Sequence, residues 1–599
     1  MPPKRKAAAV QHSTPSPPPA KTEPKAKAKA KAKADPPTAD SKAEPKTEPK
    51  TEPKTEPKTE PKTEPKVEHP AIGEAQIANP EAKLHIPVDE MFPHAHYEVY
   101  IDDAGIIYDA ALNQTNSSNN NNKFYRVQLL RNVNGDYKAW TRWGRVGEGG
   151  QSALLGNGTL DDALKNFNKK FKDKSGLAWA DRGNKPKPGK YTFIERSYAP
   201  DSEDEGDAPV KEDPEPDKAP GEVIKEAPES KLHPAIQELM ELIFNQQYFA
   251  ATMSDLNYDV NKLPLGKLSK GTILRGFQAL KDLSELLDDP TSAQSEHGMA
   301  FGEAIEALSN TFFSLIPHAF GRNRPPVIRS NEMLKKEIEV LESLSDMKDA
   351  SGIMKGDNKD AEKINLLDRQ FQGLGMEEMT TLKRDSAEFQ ELANYLMATR
   401  GQTHTANYQI AQIFRIERQG EKARFEQSEF AGPPRDRRLL WHGSRCTNFG
   451  GILSQGLRIA PPEAPASGYM FGKGVYLADM SSKSANYCCA GISNGHALLL
   501  LCEAELGGPM HVLTNASNSA GEDAKAKGMS STWGQGMTGP SQWKDAECVH
   551  PSLKGIKVPD TSAAAPGPTN VPNAYLMYNE YITYNIAQIR LRYLFRIRM

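Results

Sequence analysis

The segment LWHGSR, residues 440–445, lies in the last third of the chain, and three other short segments make chemical sense only together with it. These segments are GKGVY at 472–476, SKSANY at 482–487 and YNEY at 578–581. One histidine, two tyrosines, a turn of small residues and a late glutamate are poor material for a hydrolytic triad or a metal site. The set suits a pocket that grips a flat aromatic amide and a ribose.

This set of segments resembles the catalytic domain of the poly(ADP-ribose) polymerases, which cleave the glycosidic bond of NAD+ and transfer its ADP-ribose. Gly443 lets backbone approach closely, so its N–H and C=O can bind the nicotinamide carboxamide, which a side chain would obstruct. By the resemblance, Ser484 adds a third hydrogen bond to that amide. Tyr476 and Tyr487 are the expected aromatic walls, with Tyr487 stacking on the ring. NAD+ is therefore the expected co-substrate.

Glu580 is the residue expected to carry the chemistry. Nicotinamide departs without a general acid, and the ribose passes through an oxocarbenium-like state that a carboxylate stabilises. The same carboxylate can polarise the 2′-hydroxyl of an acceptor ADP-ribose, as a general base would. By the resemblance, His442 and Ser444 hydrogen-bond ribose hydroxyls. His442, Tyr476 and Glu580 also match the His-Tyr-Glu triad of the elongating members of the family.

Other site positions are implied by the resemblance alone. Arg458 falls where the family contacts the adenosine side of NAD+, and Glu342 and Asp346 are the nearest acidic candidates to face the adenosine ribose. The residues expected at the acceptor site are Lys483, Met470 and Tyr578. The reaction needs no metal, and the sequence shows no clustered ligand set that would hold one.

The catalytic segment is placed at residues 369–599. The apolar run ALLLLC at 497–502 and the alternating stretch 575–597 predict strands. An α+β domain with a split, mostly antiparallel sheet is expected. Residues 534–539, GQGMTG, satisfy the dinucleotide fingerprint GxGxxG. They follow no apolar strand, and Pro540 stands where a helix should begin, so we interpret them as a surface loop.

Residues 85–200 are expected to form a small α+β domain. Alternating runs at 97–101 and 124–130 predict strands, and NGD at 134–136 predicts a hairpin turn. The stretch YKAWTRWGRVG at 137–147 and the asparagine-rich insert at 113–122 resemble the WGR domain. That family binds DNA ends and nicks, which implies DNA contacts for Trp143 and Arg145. Residue types alone leave open that Trp140 and Trp143 are core residues.

Residues 232–368 predict an all-α bundle. Apolar residues recur at helical spacing in 233–244, 272–287, 299–315 and 331–344. The segment LPLGKLS at 263–269 interrupts this pattern with a proline and a glycine. The region resembles the helical regulatory domain of the polymerases. It carries no obvious catalytic constellation, so regulation or packing is the expected role.

The remaining segments are of low complexity. Residues 1–34 hold nine basic residues and one acidic residue, whereas residues 201–231 hold twelve acidic residues and four lysines. This composition predicts a disordered basic tail at 1–84 and an acidic flexible linker at 201–231. The tail is a solvated tether or, alternatively, a loose nucleic-acid contact. PKRK at 3–6 is a candidate nuclear import signal.

The five cysteines lack paired spacing, which favours reduced thiols over disulfides or a zinc finger. No apolar run reaches the roughly 20 residues that span a bilayer, so no membrane association is expected. The chain as a whole resembles a DNA-dependent poly(ADP-ribose) polymerase without zinc fingers. The resemblance implies a nuclear enzyme that modifies itself and other proteins at DNA strand breaks. The alternatives are an enzyme that adds one ADP-ribose unit and a DNA-end-binding scaffold with vestigial catalysis.

Overall fold

The computed structural model describes residues 86–198, 228–260, 263–355, 364–401, 407–433 and 435–599. Three folded parts succeed one another along these residues: a small α+β domain, a helical bundle and a larger α+β domain. This multidomain architecture confirms the predicted fold class. The tail predicted at 1–84 and most of the linker predicted at 201–231 lie outside the described residues. Within the described ranges, no helix is long and apolar enough to cross a membrane.

The first domain is an antiparallel sheet with one helix packed on it. Its elements are β1 (Tyr97–Val99), β2 (Asp109–Asn116), β3 (Asn121–Asn132), β4 (Tyr137–Arg145), β5 (Gln151–Gly158), α1 (Leu160–Ser175) and β6 (Thr192–Ile194). The strand order is β5-β4-β3-β2-β6, and β1 pairs with β3. The Thr159 side chain caps the first turn of α1, which buries Phe167 and Phe171 in the domain core. The predicted hairpin is confirmed, because Gly135 at φ +78° lies in the turn between β3 and β4.

The second domain is the predicted helical bundle. Its helices are α2 (Pro234–Ile243), α3 (Gln246–Asp255), α4 (Lys270–Asp288), α5 (Ser292–His297), α6 (Phe301–Leu315) and α7 (Asn331–Lys355). Residues Leu265–Lys267 form a 3-10 turn where the sequence predicted a break. Helix α7 continues past its predicted end at residue 344. Met347 and Ala350 prolong its buried stripe at three-residue spacing, although the intervening residues are polar.

The third domain contains the remaining elements. They are α8 (Leu366–Gly373), β7 (Met376–Thr381), α9 (Ala387–Ala398), β8 (Gln409–Arg418), α10 (Glu421–Glu426), β9 (Arg437–Ser444), α11 (Phe449–Gln455), β10 (Val475–Leu477), α12 (Ser481–Ala485), β11 (His496–Glu505), β12 (His511–Leu513), α13 (Ala520–Ala526), β13 (Ser531–Gly534), β14 (Gly536–Gly539), β15 (Trp543–Asp545), β16 (Lys557–Pro559), β17 (Gly567–Pro568), β18 (Leu576–Tyr578), β19 (Glu580–Thr583) and β20 (Ile589–Arg598).

These strands form a split sheet, as predicted. The larger part has the order β15-β16-β9-β11-β20-β8-β7, the second part is β10-β19-β13-β12, and a small third sheet is β17-β14-β18. Most neighbouring strands are antiparallel; β16–β9, β12–β13 and β14–β18 are parallel. Strand β11 is buried along its whole length between β9 and β20, which explains its run of leucines.

The interpretation of residues 534–539 as a surface loop is wrong. These residues end β13 and form β14, and Gly534, Gly536 and Gly539 are buried. A Cβ atom on Gly536 would lie 2.6 Å from the Asn579 nitrogen, and one on Gly539 would clash with the Asn579 side chain. The glycines therefore allow close packing against the chain that leads into Glu580. Short glycine-rich strands lack the apolar alternation that predicts strands from sequence.

Candidate functional site

Strand β9 brings His442, Gly443 and Ser444 to the split between the two main sheets. Trp441 exchanges both backbone hydrogen bonds with Ala478, at 2.7 and 2.9 Å. Peptide groups alternate in direction along a strand, so the N–H and C=O of Gly443 point the same way, away from β11. A Cβ atom on Gly443 would lie 2.8 Å from the carbonyl carbon of Ser484, and nearer still to its oxygen. Only glycine fits at this point.

The imidazole of His442 has a defined tautomer. Its Nδ1 lies 3.0 Å from the carbonyl oxygen of Tyr476, which can only accept a hydrogen bond, so Nδ1 carries the proton. Burial lowers the pKa of His442, although the Tyr476 carbonyl opposes the shift. The neutral ring therefore presents Nε2 as a hydrogen-bond acceptor, which suits a ribose hydroxyl. Ser444 in turn accepts a hydrogen bond from the side chain of Asn448 at 3.0 Å.

Tyr476 uses its hydroxyl within the protein. The hydroxyl donates to the Gly472 carbonyl at 2.8 Å and accepts from the Phe471 nitrogen at 2.9 Å. Burial raises its pKa far above the usual range for tyrosine. The ring stacks on that of Tyr469, with the centroids 6.4 Å apart and the planes 28° apart. Tyr476 thus fixes the turn that borders the site and offers an aromatic face.

Helix α12 carries Ser484 and leads into Tyr487. The Ser484 hydroxyl donates to the Trp441 carbonyl at 3.0 Å, which ties α12 to β9 beside Gly443. Tyr487 lies in the next 3-10 turn and remains 48% exposed, an unusual state for a ring in this domain. Loss of water around its hydroxyl raises the pKa of Tyr487 to about 12, and the charges of Glu580 and Glu339 add to the shift. An aromatic face beside Glu580 is well placed to stack on a flat ring.

Glu580 is the first residue of β19, between β10 and β13. Its side chain is 9% exposed, and its Oε1 atom lies 2.9 Å from Nζ of Lys483. This ion pair joins β19 to α12. Sequence reasoning placed Lys483 at an acceptor site, and the structure places its ammonium group directly on the glutamate.

The other two acceptor-site candidates differ in exposure. Tyr578 is buried, and a Cβ atom on Gly401 would clash with its hydroxyl. Met470 lies in the segment before Tyr476, where its carbonyl accepts from the Ser517 nitrogen at 2.9 Å. Its side chain packs with the cluster around Phe471. The acceptor-site roles of these two residues stay predictions.

Helix α7 reaches the predicted adenosine side of the site. The guanidinium of Arg458 pairs with the carboxylate of Asp349 and donates to the Ser345 hydroxyl at 3.2 Å. The Tyr469 hydroxyl donates to Glu342 at 2.6 Å. Burial raises the pKa of Glu342 to about 7 and that of Asp346 to about 7. Glu342, Asp346 and Asp349 of α7 thus lie against the third domain, where Glu342 binds Tyr469 and Asp349 binds Arg458.

Two close contacts hold helices α3 and α7 against the chain just beyond strand β9. Asp255 at the end of α3 pairs with Arg445 at 2.9 Å, immediately after the strand. A Cβ atom on Gly451 would lie 2.6 Å from the Asp346 carbonyl oxygen, so α11 and α7 pack backbone to backbone. Sequence reasoning missed these interdomain contacts, because neither Asp255 nor Gly451 stands out in its own segment.

Trp143 and Arg145 take different positions in the first domain. Trp143 is partly buried, packs against the domain core and stacks on Tyr125, with the ring centroids 6.0 Å apart. Arg145 donates to the Asn120 carbonyl at 2.8 Å and to the Gly321 carbonyl of the helical domain at 3.0 Å. Trp140 is a core residue, as residue types alone allowed. Arg145 therefore joins the first two domains.

The asparagine-rich insert forms the turn of the β2–β3 hairpin and docks on the helical domain. The Thr115 nitrogen donates to the Ser314 hydroxyl at 2.8 Å, and the Ser117 nitrogen donates to the Asn310 side chain at 2.9 Å. The Asn122 amide donates to the His318 carbonyl at 3.1 Å. Composition marked this insert, but nothing in the sequence indicated its partner.

Three protein families match the chain in sequence. The poly(ADP-ribose) polymerase catalytic domain matches residues 386–599, the poly(ADP-ribose) polymerase regulatory domain matches 230–371, and the WGR domain matches 108–186. Poly [ADP-ribose] polymerase 2 of Homo sapiens is 40% identical over 496 residues, covering 82% of this chain and 79% of that protein. The Arabidopsis thaliana protein of the same name is 40% identical over 499 residues, covering 82% and 73%. Poly [ADP-ribose] polymerase 1 of Gallus gallus is 34% identical over 497 residues, covering 82% and 45%.

Proposed function

Because this chain belongs to the poly(ADP-ribose) polymerase family and is an NAD+ ADP-ribosyltransferase, we propose that DNA strand breaks activate it and that Glu580 carries the transfer chemistry. The observation that supports the proposal is that polar contacts join the WGR domain to the helical domain, and the helical domain to the domain that carries the proposed NAD+ site. Arg145 and Asn122 form the first of these links, and Asp349 with Arg458 forms the second.

The first chemical step is departure of nicotinamide. The backbone N–H and C=O of Gly443 hold the carboxamide, and the exposed ring of Tyr487 stacks on the pyridinium. Nε2 of His442 accepts a hydrogen bond from a ribose hydroxyl, since Nδ1 is already committed to Tyr476. Glu580 then stabilises the positive charge that develops on the ribose carbon as the glycosidic bond breaks.

The second step is attack by an acceptor, first a protein side chain and then a hydroxyl of the growing chain. Glu580 binds Lys483 through Oε1, so Oε2 can accept the proton of that hydroxyl. Lys483 holds the carboxylate in place while the acceptor approaches. Met470 and Tyr578 shape the acceptor side of the site. The acceptors include the enzyme itself.

The regulatory step is release of the helical domain. In the described structure, Asp349 neutralises Arg458, and Glu342 holds the Tyr469 hydroxyl, so both are unavailable to the adenosine half of NAD+. A DNA break that binds at Trp143 and Arg145 alters the seating of the hairpin on α6. That change loosens α7 and frees Arg458. DNA engagement and NAD+ binding are thereby coupled without direct contact.

NAD+ is the only co-substrate that the proposal requires. Among the described residues, no cluster of three His, Cys, Asp or Glu side chains could hold a metal ion. Because the proposed activator is broken DNA, the proposed working location is the nucleus, and the candidate import signal at residues 3–6 agrees with this location.

The proposal is tested by incubating the purified chain with labelled NAD+, with and without a nicked, 5′-phosphorylated DNA duplex, and then running a denaturing gel. We expect a DNA-dependent smear of high mass that the variant Glu580→Gln loses. A single shifted band would mean transfer of one unit only. Equal labelling with and without DNA would refute the regulatory step. A full smear from Glu580→Gln would refute the role of Glu580.

A further inference from the structure

Asp479 is a fully buried carboxylate between strand β10 and helix α12, at 0% exposure. Its Oδ2 atom accepts two hydrogen bonds: one from the Asn579 side-chain amide at 2.8 Å and one from the Tyr581 hydroxyl at 3.0 Å. These two donors are the chain neighbours of Glu580. One oxygen atom therefore binds the residue before and the residue after the glutamate.

The two donors are held from their other sides as well. The Asn579 side-chain oxygen accepts from the Gly536 nitrogen at 2.9 Å. The Tyr581 hydroxyl also accepts from Nη1 of Arg438 at 3.1 Å. Asp436 binds the rest of that guanidinium at 2.9 and 2.6 Å. The neighbours of Glu580 are thus held in a polar network that runs from Asp479 through Arg438 to Asp436.

Through the geometry of the strand, this network also fixes the orientation of Glu580. Successive side chains of a strand point to opposite faces, so Tyr581 projects to the face of β19 opposite Glu580. Asn579 lies just before the strand, and its side chain reaches the same oxygen atom of Asp479 as Tyr581 does. Asp479 thus binds the face of β19 that carries Tyr581, while Glu580 contacts Lys483 from the opposite face. Asp479 also directly precedes Met480, the residue before α12, and α12 carries Lys483 and Ser484. A single carboxylate therefore sets the spacing between the glutamate and the nicotinamide-binding helix.

A carboxylate is an expensive way to fill this position. The Oδ1 atom of Asp479 is buried and has no hydrogen-bond partner among the described residues. Burial raises the pKa of Asp479 to about 6, against the opposing effects of Asn579, Tyr581 and Arg438. Buried polar groups that lack full hydrogen bonding destabilise a fold, whereas apolar residues of similar volume pack without that penalty. Packing alone would therefore favour an apolar residue at position 479.

We propose that Asp479 is a positioning residue for ADP-ribosyl transfer, which orients Glu580 through Asn579 and Tyr581. The inference rests on the proposed role of Glu580. It predicts that loss of Asp479 slows the chemical step while leaving the nicotinamide pocket able to bind. A merely structural residue would instead lower binding, turnover and stability together.

The test measures kcat and KM for NAD+ on the full chain with the nicked duplex present, and the Kd of nicotinamide by calorimetry. We expect Asp479→Ala to lower kcat about 100-fold, the cost of a displacement near 1 Å at a reacting group, with KM and Kd within about threefold of wild type. Asp479→Asn should recover at least tenfold of that loss, because its amide oxygen can accept both hydrogen bonds. Tyr581→Phe, which removes one of the two donors, should lower kcat about tenfold.

Tyr593→Phe is the matched control. It removes a buried tyrosine hydroxyl bonded to a carboxylate, Glu388, at 2.8 Å, in a strand that carries none of the site residues. We expect its kcat to stay near that of wild type. If Asp479→Ala does not fold, Tyr581→Phe against Tyr593→Phe decides the question.

Glu580→Gln, assayed alongside, distinguishes failure of the positioning role from failure of the proposed role of Glu580. If Glu580→Gln is inactive while Tyr581→Phe and Asp479→Ala keep wild-type kcat, the positioning role is refuted and the role of Glu580 survives. If Glu580→Gln keeps its activity, the role of Glu580 fails, and the positioning inference fails with it. Equal losses in Tyr581→Phe and Tyr593→Phe, or parallel losses of kcat and nicotinamide affinity in Asp479→Ala, would reduce Asp479 to a structural residue.

Discussion

Replacing Gly443 with alanine tests the nicotinamide pocket at its narrowest point. The added Cβ atom would lie 2.8 Å from the carbonyl carbon of Ser484 and 3.1 Å from a methyl group of Leu499. Carbon atoms in contact are ordinarily about 3.5 Å or more apart, so β9 and α12 must separate by roughly 0.7 Å or more. The Ser484 carbonyl is backbone and cannot rotate away, whereas the Leu499 methyl can.

That displacement moves the N–H and C=O of Gly443 relative to the Ser484 hydroxyl. These three groups are the proposed ligands of the nicotinamide carboxamide. Losing one or two hydrogen bonds of about 1 kcal/mol each lowers nicotinamide affinity by about five- to thirtyfold. A misplaced reacting ring lowers kcat/KM further, to about 100-fold or more below wild type. Forcing a methyl group into this contact also destabilises the fold by about 1–3 kcal/mol.

Calorimetric titration with nicotinamide and initial-rate kinetics with NAD+ measure the two losses, and thermal unfolding measures the third. Gly491→Ala is the matched control, because an added Cβ atom there meets no neighbour within 4 Å. It should bind nicotinamide as wild type does. Wild-type nicotinamide affinity in Gly443→Ala would refute the assignment of the carboxamide site to this strand.

Three further predictions concern the helical domain and its neighbours. Trp143→Ala and Arg145→Ala should each lower DNA-stimulated NAD+ cleavage at least fivefold while basal cleavage stays within twofold, measured as the ratio of the two rates; equal loss of both rates would point to misfolding instead. Asp349→Asn weakens the ion pair with Arg458, so DNA-independent cleavage of NAD+ should rise severalfold. An unchanged basal rate would count against the proposal that Asp349 keeps Arg458 from NAD+. The third prediction concerns pH. Glu342 and Asp346 each have a pKa of about 7 in the folded protein, above their ordinary values of 4.5 and 3.8. The folded state therefore binds these protons more tightly, and the two groups cost the protein stability as pH rises from about 4 to about 7. Thermal unfolding should show Glu342→Gln/Asp346→Asn gaining stability relative to wild type across that interval, whereas a constant difference would contradict the shifts.

The sequence predicted those parts of the fold whose residues carry strong local signals. The leucine run of β11 predicts a buried strand, and Gly135 predicts a turn. The spacing of apolar residues in the bundle predicts helices. The glycines at 534–539 were misread, because the reason for a small residue lies in the strand it touches and not in its own segment. Tertiary packing is not visible in local pattern.

The residues of the candidate site also fall into those that the sequence indicated and those that it did not. His442, Gly443 and Glu580 became candidates because they lie in segments that resemble a known family. The partners that hold them were not predictable from the residue types. Asp479 contacts residues 100 and 102 positions away, and Arg145 binds a loop 176 positions away. Contacts over such separations have no local signature, so the sequence indicated candidate reacting groups but not the groups that orient them.

The central claim is that the acidic residues of the helical domain occupy the adenosine side of the NAD+ site until DNA releases them. Calorimetric titration of the full chain with a non-hydrolysable NAD+ analogue, with and without the nicked duplex, tests this claim most directly. Nicotinamide, which does not reach Arg458, serves as the internal control. We predict that DNA tightens analogue binding at least tenfold and changes nicotinamide binding less than threefold. Equal affinity of the analogue with and without DNA would contradict the claim.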